Sequence, residues 1–428
     1  MDINGMHPRE QLVFYMKQLY DNKLTNLSGG NLSIRDDHGN IWITPTGVDK
    51  GFLQPQDILC VKPDGSIAGP HKVTTELPFH RAILHSRSDL RAVVHTHTPS
   101  LVAYSFARQV PDTRLIPRTF QVCGSAGIAE YAIPGSQRLG DNMAHSFANG
   151  FNVLILENHG AAAVGKNLAQ AVNRLETLAI CAQVHIKARC VGNILPLSDQ
   201  QLEGFLNYQP ALEQCAPPAN LEKAASLKAQ QMVTIIHRAC QQNLMSSLEG
   251  DVSIRIGAHA FLTTPADVDR RFIKPKDLVM VIDSKREAGK FPGRLVCFHQ
   301  AILAAHPQVN CVITAQPPNS MVYAVSDAEF NTRLIPESYI LLADPHKLPL
   351  ELAYQEPAEA ASRISLSSPC AFLSHDSLVV VARDILRAFD RLEEAEFTAW
   401  SLIDAQSVGE LVPLSHPDLQ ELQDTFLS

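Results

Sequence analysis

The sequence predicts an α/β protein built from two similar units, and three observations lead to this prediction. Apolar residues recur at helical spacing in residues 8–22 and again in residues 167–190, so both segments are predicted to be amphipathic helices. Short apolar runs at 93–94 and 154–156 end in polar turns, as buried strands do. Finally, several motifs of the first half recur about 220 residues later, which is the mark of a duplicated structural unit.

The repeated motifs keep their order along the chain, which predicts two domains at 1–205 and 222–428. Residues 206–221 are predicted to be the linker, within a stretch that is rich in proline. The matching pairs are G-N-L-S-I-R at 30–35 with G-D-V-S-I-R at 250–255, F-H-R-A-I-L at 79–84 with F-H-Q-A-I-L at 298–303, R-L-I-P at 114–117 with R-L-I-P at 333–336, and R-L-E at 174–176 with R-L-E at 391–393.

Composition narrows the class of protein. Hydrophobic residues make up 45% of the 428 residues and charged residues 19%, an ordinary globular balance. The net charge of −8, without a basic block, argues against binding to nucleic acid or to an anionic membrane surface. No apolar run approaches the roughly 18 residues that a membrane span needs. Neither a basic nor an apolar leader opens the chain, and the nine cysteines show no C-x-x-C spacing, so we expect a cytoplasmic protein with reduced thiols.

A pair of histidines stands at the end of a predicted strand, in V-V-H-T-H-T-P at 93–99. Residues i and i+2 of a strand point to the same face, so the imidazoles of His95 and His97 are predicted to lie side by side. A third histidine, His159, follows another apolar run in L-I-L-E-N-H-G at 154–160. Neutral imidazole is the commonest metal ligand, and a catalytic zinc site typically has three protein ligands. The alternative is that these are ordinary histidines at loop ends.

Three polar turns in the first half have features of anion-binding sites. The paired glycines in N-L-S-G-G-N-L-S at 26–33 allow close approach of the backbone, and T-P-T-G at 44–47 combines hydroxyls with a glycine. In T-T-E-L-P at 74–78, Thr74 or Thr75 is predicted to cap a helix whose free N–H groups suit a phosphate, with Glu76 in its first turn. The alternative is that these are tight turns, with Glu76 favouring the helix dipole.

Taken together, these motifs resemble the class II aldolase/adducin family over about residues 10–200. The resemblance implies an αβα sandwich around a central, mainly antiparallel sheet, present here in two tandem copies. It also implies a divalent metal, usually zinc, with Mn²⁺ or Co²⁺ as substitutes. Three groups of site residues are implied by position: the metal ligands His95, His97 and His159, the phosphate-binding residues Asn31, Thr46, Gly47, Thr74 and Thr75, and the acid–base carboxylate Glu76.

The residue types agree with the chemistry that the resemblance implies. A metal bound by neutral histidines keeps its positive charge and can polarise a carbonyl and stabilise an enediolate, while a neighbouring carboxylate takes a proton. The leading hypothesis is therefore a metal-dependent lyase that cleaves a small phosphorylated ketose, or a related hydroxy-carbonyl compound, by a retro-aldol reaction. Epimerisation, dehydration and decarboxylation use the same chemistry in this family and stay open, as does a non-catalytic, adducin-like interaction protein.

The proton donor departs from the family pattern. Sugar-phosphate aldolases of this family use a tyrosine from a neighbouring subunit of a four-fold ring, but the matching position of the first half is Phe120. The nearby Tyr131 belongs to a different motif, whereas the repeat places Tyr339 at the position of Phe120. We therefore expect a homodimer that forms a pseudo-four-fold ring, in which Tyr339 reaches an intact metal site. The alternative is neutral exchange of Phe for Tyr.

The second half lacks the residues on which this chemistry depends. In the repeat, His95, His97 and His159 correspond to Thr314, Gln316 and Asp376. The remaining replacements are Leu295 for Glu76, Asp251 for Asn31, Ala266 for Thr46 and Asp267 for Gly47. A site without histidine ligands and with carboxylates at the anion pocket is expected to bind neither metal nor sugar phosphate. The second half is thus predicted to be a degenerate domain.

Overall fold

Eight strands of the first half form one sheet in the computed structural model, which describes residue 3, residues 5–216 and residues 219–427. The order across this sheet is β4-β3-β2-β1-β5-β8-β7-β6, and only the pair β6–β7 is parallel. The strands are β1 (Asn31–Arg35), β2 (Ile41–Ile43), β3 (Leu59–Val61), β4 (Ile67–Ala68), β5 (Ala92–Thr96), β6 (Gly127–Ala129), β7 (Val153–Leu156) and β8 (Gly160–Gly165).

Among the described residues, six helices accompany this sheet. The two amphipathic helices expected at 8–22 and 167–190 are present with ends shifted by one residue, as α1 and α6. The helices are α1 (Pro8–Asp21), α2 (Leu77–Ser86), α3 (Pro99–Ala107), α4 (Pro117–Cys123), α5 (Gln137–Ala148) and α6 (Leu168–Val191). One apolar cluster joins α2 and α5 to the sheet, with Phe79, Met143, Phe147 and Leu154 all buried. Burial of such side chains is the main stabilising contribution and fixes α2, the helix that follows Glu76, against the sheet.

The second half repeats this topology with one addition. Its sheet has the order β15-β16-β17-β14-β10-β11-β12-β13-β9, in which the first eight strands reproduce the first sheet and β9 adds a parallel edge strand to β13. The strands are β9 (Glu213–Cys215), β10 (Asp251–Gly257), β11 (Ala260–Thr263), β12 (Val279–Ile282), β13 (Lys285–Glu287), β14 (Cys311–Ala315), β15 (His346–Leu348), β16 (Cys370–Leu373) and β17 (Ser377–Ala382).

Nine further helices belong to the later part of the chain that the structure describes. One of them, Val296–Ala305, packs on the sheet in a second apolar cluster that includes Phe298, Ile302, Val312 and Val379. The helices are α7 (Asp199–Asn207), α8 (Ala219–Gln241), α9 (Val296–Ala305), α10 (Ser320–Val325), α11 (Pro336–Leu342), α12 (Leu352–Gln355), α13 (Pro357–Ser362), α14 (Ile385–Ala405) and α15 (His416–Leu422). None of the described helices combines the length and the apolar character that crossing a membrane requires.

Strand register supports the alignment of the two halves residue by residue. Asn31 of β1 lies opposite His95 of β5, and Asp251 of β10 lies opposite Thr314 of β14. These pairs are the ones that the sequence repeat equates. The prediction of an α/β fold in two tandem copies, each with a mainly antiparallel central sheet, is therefore confirmed.

The chain divides into two compact units, Met1–Gln183 and Val184–Ser428. Within the segment predicted as a linker, 206–221, the strand β9 pairs with β13 and the end of α7 is helical. Residues 217 and 218 of that segment lie outside the described residues. The limits 1–205 and 222–428 stay a prediction of the sequence.

Candidate metal centre

Three histidines of the first unit converge on one point. His95 is the last residue but one of β5, and His97 is the first residue after that strand. His159 lies in the turn between β7 and β8. One ring nitrogen from each lies within 4.8 Å of the others, so the cluster could hold a metal ion. His95 is fully buried and the other two are half-buried. The three side chains that the sequence predicted to meet do meet.

The hydrogen bonds of His95 show which nitrogen is available to a cation. Its Nδ1 lies 2.9 Å from the carbonyl oxygen of Ala161, an acceptor, so Nδ1 donates and Nε2 has the free lone pair. That Nε2 lies 3.1 Å from Nε2 of His97. Burial lowers the pKa of His95 to about 4, which keeps the ring neutral near pH 7. Nε2 of His95 is thus a neutral nitrogen whose ring is oriented by a backbone carbonyl, and it faces two other imidazoles. Zinc and similar ions bind such sets of imidazole nitrogens.

Two glycines allow the backbone to approach these rings. A Cβ atom on Gly160 would lie 2.5 Å from the carbonyl oxygen of Thr96 and 3.0 Å from Cδ2 of His97. A Cβ atom on Gly29 would lie 3.2 Å from Nδ1 of His97. The 2.5 Å approach at Gly160 is shorter than real Cβ contacts, and those of 3.0 and 3.2 Å are tighter than most, so the N-H-G motif needs glycine beside the histidines and the S-G-G motif favours it.

Glu76 reaches the cluster from a different direction. Its Oε1 lies 3.3 Å from Nε2 of His159 and its Oε2 lies 3.6 Å from Nε2 of His95. Burial acts to raise the pKa of Glu76, but the neighbouring His95 and the hydrogen bonds from His159 and Asn31 hold it well below its usual range. The carboxylate is therefore ionised and can act as a base beside the histidines.

The position of Glu76 on its helix differs from the expectation. The sequence suggested a cap by Thr74 or Thr75 with Glu76 in the first turn, but α2 begins at Leu77 and Glu76 is the residue before it. The hydroxyl of Thr74 accepts from the amide of Glu76 at 3.2 Å and the carbonyl of Thr74 accepts from Leu77. Because this short turn precedes the helix, the Glu76 side chain is free of capping and is directed at the histidines.

The residues that the resemblance assigned to phosphate binding divide into two groups. Asn31 and Thr74 are buried and in contact, with Nδ2 of Asn31 3.4 Å from Oγ1 of Thr74. Thr46, Gly47 and Thr75 are exposed, and Gly47 has a left-handed φ of 70°. None of the hydrogen bonds among the described residues links these three to Asn31. Phosphate binding by all five stays a prediction.

Tyr339 occupies in the second unit the place that Phe120 has in the first. The amide of each donates to the carbonyl of an isoleucine that precedes a short helix, Ile335 or Ile116. Tyr339 is 6% exposed, and its hydroxyl lies 2.5 Å from Nε2 of Gln423 in the C-terminal segment. Tyr131 is exposed on the surface of the first unit. The role of Tyr339 as a proton donor to a neighbouring subunit stays a prediction.

In the second unit an ion pair stands where the first unit has its histidines. Asp376, at the position of His159, accepts from both terminal nitrogens of Arg294, and Glu249 lies 3.3 Å from the same guanidinium. Within the ranges 5–216 and 219–427, the His95, His97 and His159 cluster is the only group of three potential ligands with metal-binding geometry. The loss of ligands was evident from the sequence, but the role of Arg294, which the repeat places at the position of Thr75, was not.

Two more residues were missed, His80 and its copy His299. Both are fully buried, and Nδ1 of each contacts a serine hydroxyl on the neighbouring strand, Ser33 at 2.7 Å or Ser253 at 2.8 Å. Burial lowers the pKa of His80 to about 3, so its ring is neutral. The signal was present in the sequence, since a histidine kept in both halves of F-H-x-A-I-L is unusual for a helix core.

The sequence matches the class II aldolase and adducin N-terminal domain over residues 10–186 and again over 230–402. The chain belongs to the class II aldolase and adducin family. The two matched ranges fall in the two halves of the repeat, so the family domain occurs twice in this member.

Several known proteins are each similar to less than half of this chain. The 5-deoxy-D-ribulose 1-phosphate aldolase of Bacillus thuringiensis is 29% identical over 211 residues, which are 46% of this chain and 92% of that protein. An L-fuculose phosphate aldolase of Methanococcus maripaludis is 36% identical over 41% of this chain and 94% of its own length. The 3-oxo-tetronate 4-phosphate decarboxylase of Escherichia coli is 29% identical over 40% of this chain and 82% of its own length. A solved L-fuculose 1-phosphate aldolase is similar with a TM-score of 0.43 at 28% identity, covering 48% of this chain and 98% of that one.

Proposed function

We propose that the first half of this protein is a zinc-dependent lyase that cleaves a small phosphorylated ketose by a retro-aldol reaction. The observation on which this rests is the ionised carboxylate of Glu76 within 3.3 Å of His159 and 3.6 Å of His95. A base beside three convergent imidazoles is the arrangement that proton transfer next to a polarised carbonyl needs. Two relatives, a 5-deoxy-D-ribulose 1-phosphate aldolase and an L-fuculose phosphate aldolase, support the choice of reaction.

The residues have separate tasks in this proposal. His95, His97 and His159 hold the cation, with Mn²⁺ or Co²⁺ as substitutes for zinc. When bound, the cation polarises the substrate carbonyl and the adjacent hydroxyl. Retro-aldol cleavage removes a proton from the hydroxyl of the carbon that becomes an aldehyde and adds a proton to the carbon that is released from the broken bond. We assign the acceptor role to Glu76 and the donor role to Tyr339 of a neighbouring subunit in a homodimer.

The phosphate is assigned to the polar turns of the first half. Thr46, Gly47 and Thr75 are exposed and offer hydroxyls and amides, while Thr74 and Asn31 are buried and in contact with each other. Backbone amides and hydroxyls bind phosphate without adding positive charge beside the cation. Binding energy from this remote group would orient the carbonyl for cleavage.

A decarboxylase is the second candidate. The relative from Escherichia coli is a 3-oxo-tetronate 4-phosphate decarboxylase, and decarboxylation also leaves negative charge next to a carbonyl. Epimerisation and dehydration of a phosphorylated sugar draw on the same groups. An adducin-like protein without catalysis is the candidate from another class, and the second half fits it because it lacks the histidines and Glu76.

A substrate screen separates these candidates. The full chain, loaded with zinc, is incubated with five- and six-carbon 1-phosphorylated ketoses, and the release of a three-carbon phosphate is measured by a coupled assay. The screen has three controls: the same ketoses without phosphate, a 3-oxo acid phosphate tested for carbon dioxide release, and a His95→Ala chain. Cleavage that needs both phosphate and His95 is the expected result. Carbon dioxide release without cleavage would favour the decarboxylase, and no turnover by a zinc-loaded chain would favour the interaction protein.

A further inference from the structure

A chain of buried hydrogen bonds leads from β1 to Glu76. The hydroxyl of Ser33 lies 2.7 Å from Nδ1 of His80, and Nε2 of His80 lies 2.5 Å from Oδ1 of Asn31. The side-chain nitrogen of Asn31, Nδ2, in turn lies 2.6 Å from Oε2 of Glu76. Ser33 and His80 are fully buried and Asn31 is 4% exposed. The Ser33–His80 part of the chain is therefore shielded from bulk water.

The direction of each hydrogen bond follows from the residue types. An ionised carboxylate only accepts, so the NH₂ group of Asn31 must face Glu76 and its oxygen must face His80. That oxygen only accepts as well, so Nε2 of His80 must be the protonated nitrogen. The other nitrogen, Nδ1, then accepts from the hydroxyl of Ser33. One proton arrangement satisfies all four groups, and it leads from Ser33 to Glu76.

We propose that His80 is a positioning residue for Glu76 and acts through the amide of Asn31. This inference rests on the proposed role of Glu76 as a base. An asparagine amide can turn over and present its oxygen, which would repel the carboxylate, and the N–H of His80 removes that alternative. With Oε2 of Glu76 held by Asn31, the other oxygen, Oε1, which lies 3.3 Å from Nε2 of His159, is the one assigned to exchange a proton with the substrate. Asn31 thus has a function in the first half beside the predicted contact with phosphate.

The second unit provides an internal comparison. Its copy of the histidine, His299, keeps the serine contact at 2.8 Å, but its Nε2 lies 3.2 Å from the hydroxyl of Thr314. Asp251, at the position of Asn31, is bound by Arg270 and Thr264 instead, and Leu295 replaces Glu76. The serine–histidine pair is therefore common to both units, whereas the connection to a carboxylate exists only in the unit that has the three histidines.

The two histidines make a matched pair of test variants. His80→Leu removes the donor to Asn31 and keeps a similar volume, and His299→Leu makes the same change in the other unit. Residues that orient a group of an active site through hydrogen bonds typically contribute about 10- to 100-fold to activity. We expect kcat of His80→Leu to fall by that amount with KM changed by less than about twofold and with one zinc per chain retained, because no ligand is altered. His80→Gln, whose amide can donate to Asn31, should recover part of kcat, and His299→Leu should keep the wild-type kcat.

Crystal structures of the wild type, His80→Leu and His299→Leu provide a readout that needs no substrate. The Asn31–Glu76 contact should be present in the wild type and in His299→Leu, and lost or reversed in His80→Leu. Any of three results would overturn the inference: an unchanged position of the Glu76 side chain in His80→Leu, equal losses of kcat in the two leucine variants, or a loss of zinc that parallels the loss of kcat. If the wild type shows no turnover in the substrate screen, the proposed function is refuted, but the inference about His80 is not. The crystal structures would still show whether His80 holds Glu76 in position.

Discussion

Arg294 binds both carboxylate oxygens of Asp376, with nitrogen–oxygen distances of 2.5 and 2.9 Å. Asp376 is 1% exposed and also accepts from the hydroxyl of Tyr354 at 2.7 Å. In the first unit the matching positions are Thr75 and His159. The second unit has thus replaced an imidazole ligand by an aspartate that is neutralised by a guanidinium of its own, which leaves no group there that needs an external cation.

This ion pair predicts a specific pattern of stability. Arg294→Met should lower the free energy of unfolding of the second unit by about 3–5 kcal/mol, because it leaves the buried carboxylate of Asp376 unpaired. Arg294→Met combined with Asp376→Leu should recover part of that loss, since Glu249 also contacts Arg294. As a control, Arg387→Met breaks an exposed pair with Asp390 and should cost less than about 1 kcal/mol.

The two tryptophans, Trp42 and Trp400, lie in different units, so fluorescence can follow each unit separately. Urea unfolding of these variants in a Trp42→Phe background reports on the second unit through Trp400. A double variant as unstable as Arg294→Met would show that the packing of Arg294 matters and its charge does not.

Metal content is the second prediction. We expect one zinc ion per 428-residue chain, because one unit has the three histidines and the other has Thr314, Gln316 and Asp376 in their places. His159→Ala should weaken zinc binding by more than the roughly 10- to 100-fold that outer partners contribute. His299→Ala removes a buried histidine of the other unit and should leave the stoichiometry at one. Elemental analysis after dialysis against zinc decides this, and two ions per chain, or none, would contradict it.

The third prediction concerns the carboxylate. Glu76→Gln keeps the size of the side chain but cannot accept a proton, so kcat should fall by about 10²–10⁴ while the zinc content and the fold are retained. Glu203→Gln makes the same change at an exposed position of α7 and should have no effect on kcat. Turnover close to the wild-type value in Glu76→Gln would leave Glu76 without a role in proton transfer.

How far the sequence predicted this protein can be judged from particular residues. The histidine cluster was predictable because i and i+2 on a strand share a face and because His159 follows a second strand. The strand pairs Asn31–His95 and Asp251–Thr314 show that the repeat alignment was right where it mattered. The contact of Asn31 with His80 was not predictable, since it joins a strand to a helix 49 residues away through side-chain geometry alone. The same is true of Arg294, whose partner Asp376 is 82 residues away.

Lys50 yields a prediction about pH. It is 2% exposed, its ammonium donates to the carbonyl of Pro45, and burial lowers its pKa to about 8, although Glu76 acts in the opposite direction. An unfolded lysine has a pKa of about 10.4, so the unfolded chain holds this proton more tightly, and the residue costs about 3 kcal/mol of stability below pH 8. That cost is relieved as the pH rises from about 8 to about 10.

Lys50→Met should therefore be more stable than the wild type at pH 7, by up to that amount less the lost hydrogen bond. The difference should shrink as the pH rises from 8 to 10. This difference in the free energy of unfolding can be measured at pH 8 and at pH 10 by urea unfolding in a Trp400→Phe background, in which Trp42 reports on the first unit. A difference that does not change with pH would contradict the assignment of the cost to the charge of Lys50.

The last prediction concerns the proton donor. If Tyr339 of a partner chain serves the intact site, Tyr339→Phe should lower kcat while zinc binding is unchanged, and Tyr131→Phe should have no effect. The contact of the Tyr339 hydroxyl with Gln423 leads to a further expectation: Gln423→Ala frees that hydroxyl and should not lower kcat.

Mixing two variant chains tests whether the proton donor comes from the neighbouring chain. A His95→Ala chain has Tyr339 but lacks a ligand, and a Tyr339→Phe chain has the ligands but lacks the hydroxyl. After unfolding and refolding an equal mixture of these two inactive chains, we expect about a quarter of the wild-type activity, because half of the dimers are mixed and each of those has one complete site. Activity that stays at the level of the separate variants would place the donor in the same chain, and a Tyr339→Phe enzyme with unchanged kcat would remove Tyr339 from the reaction.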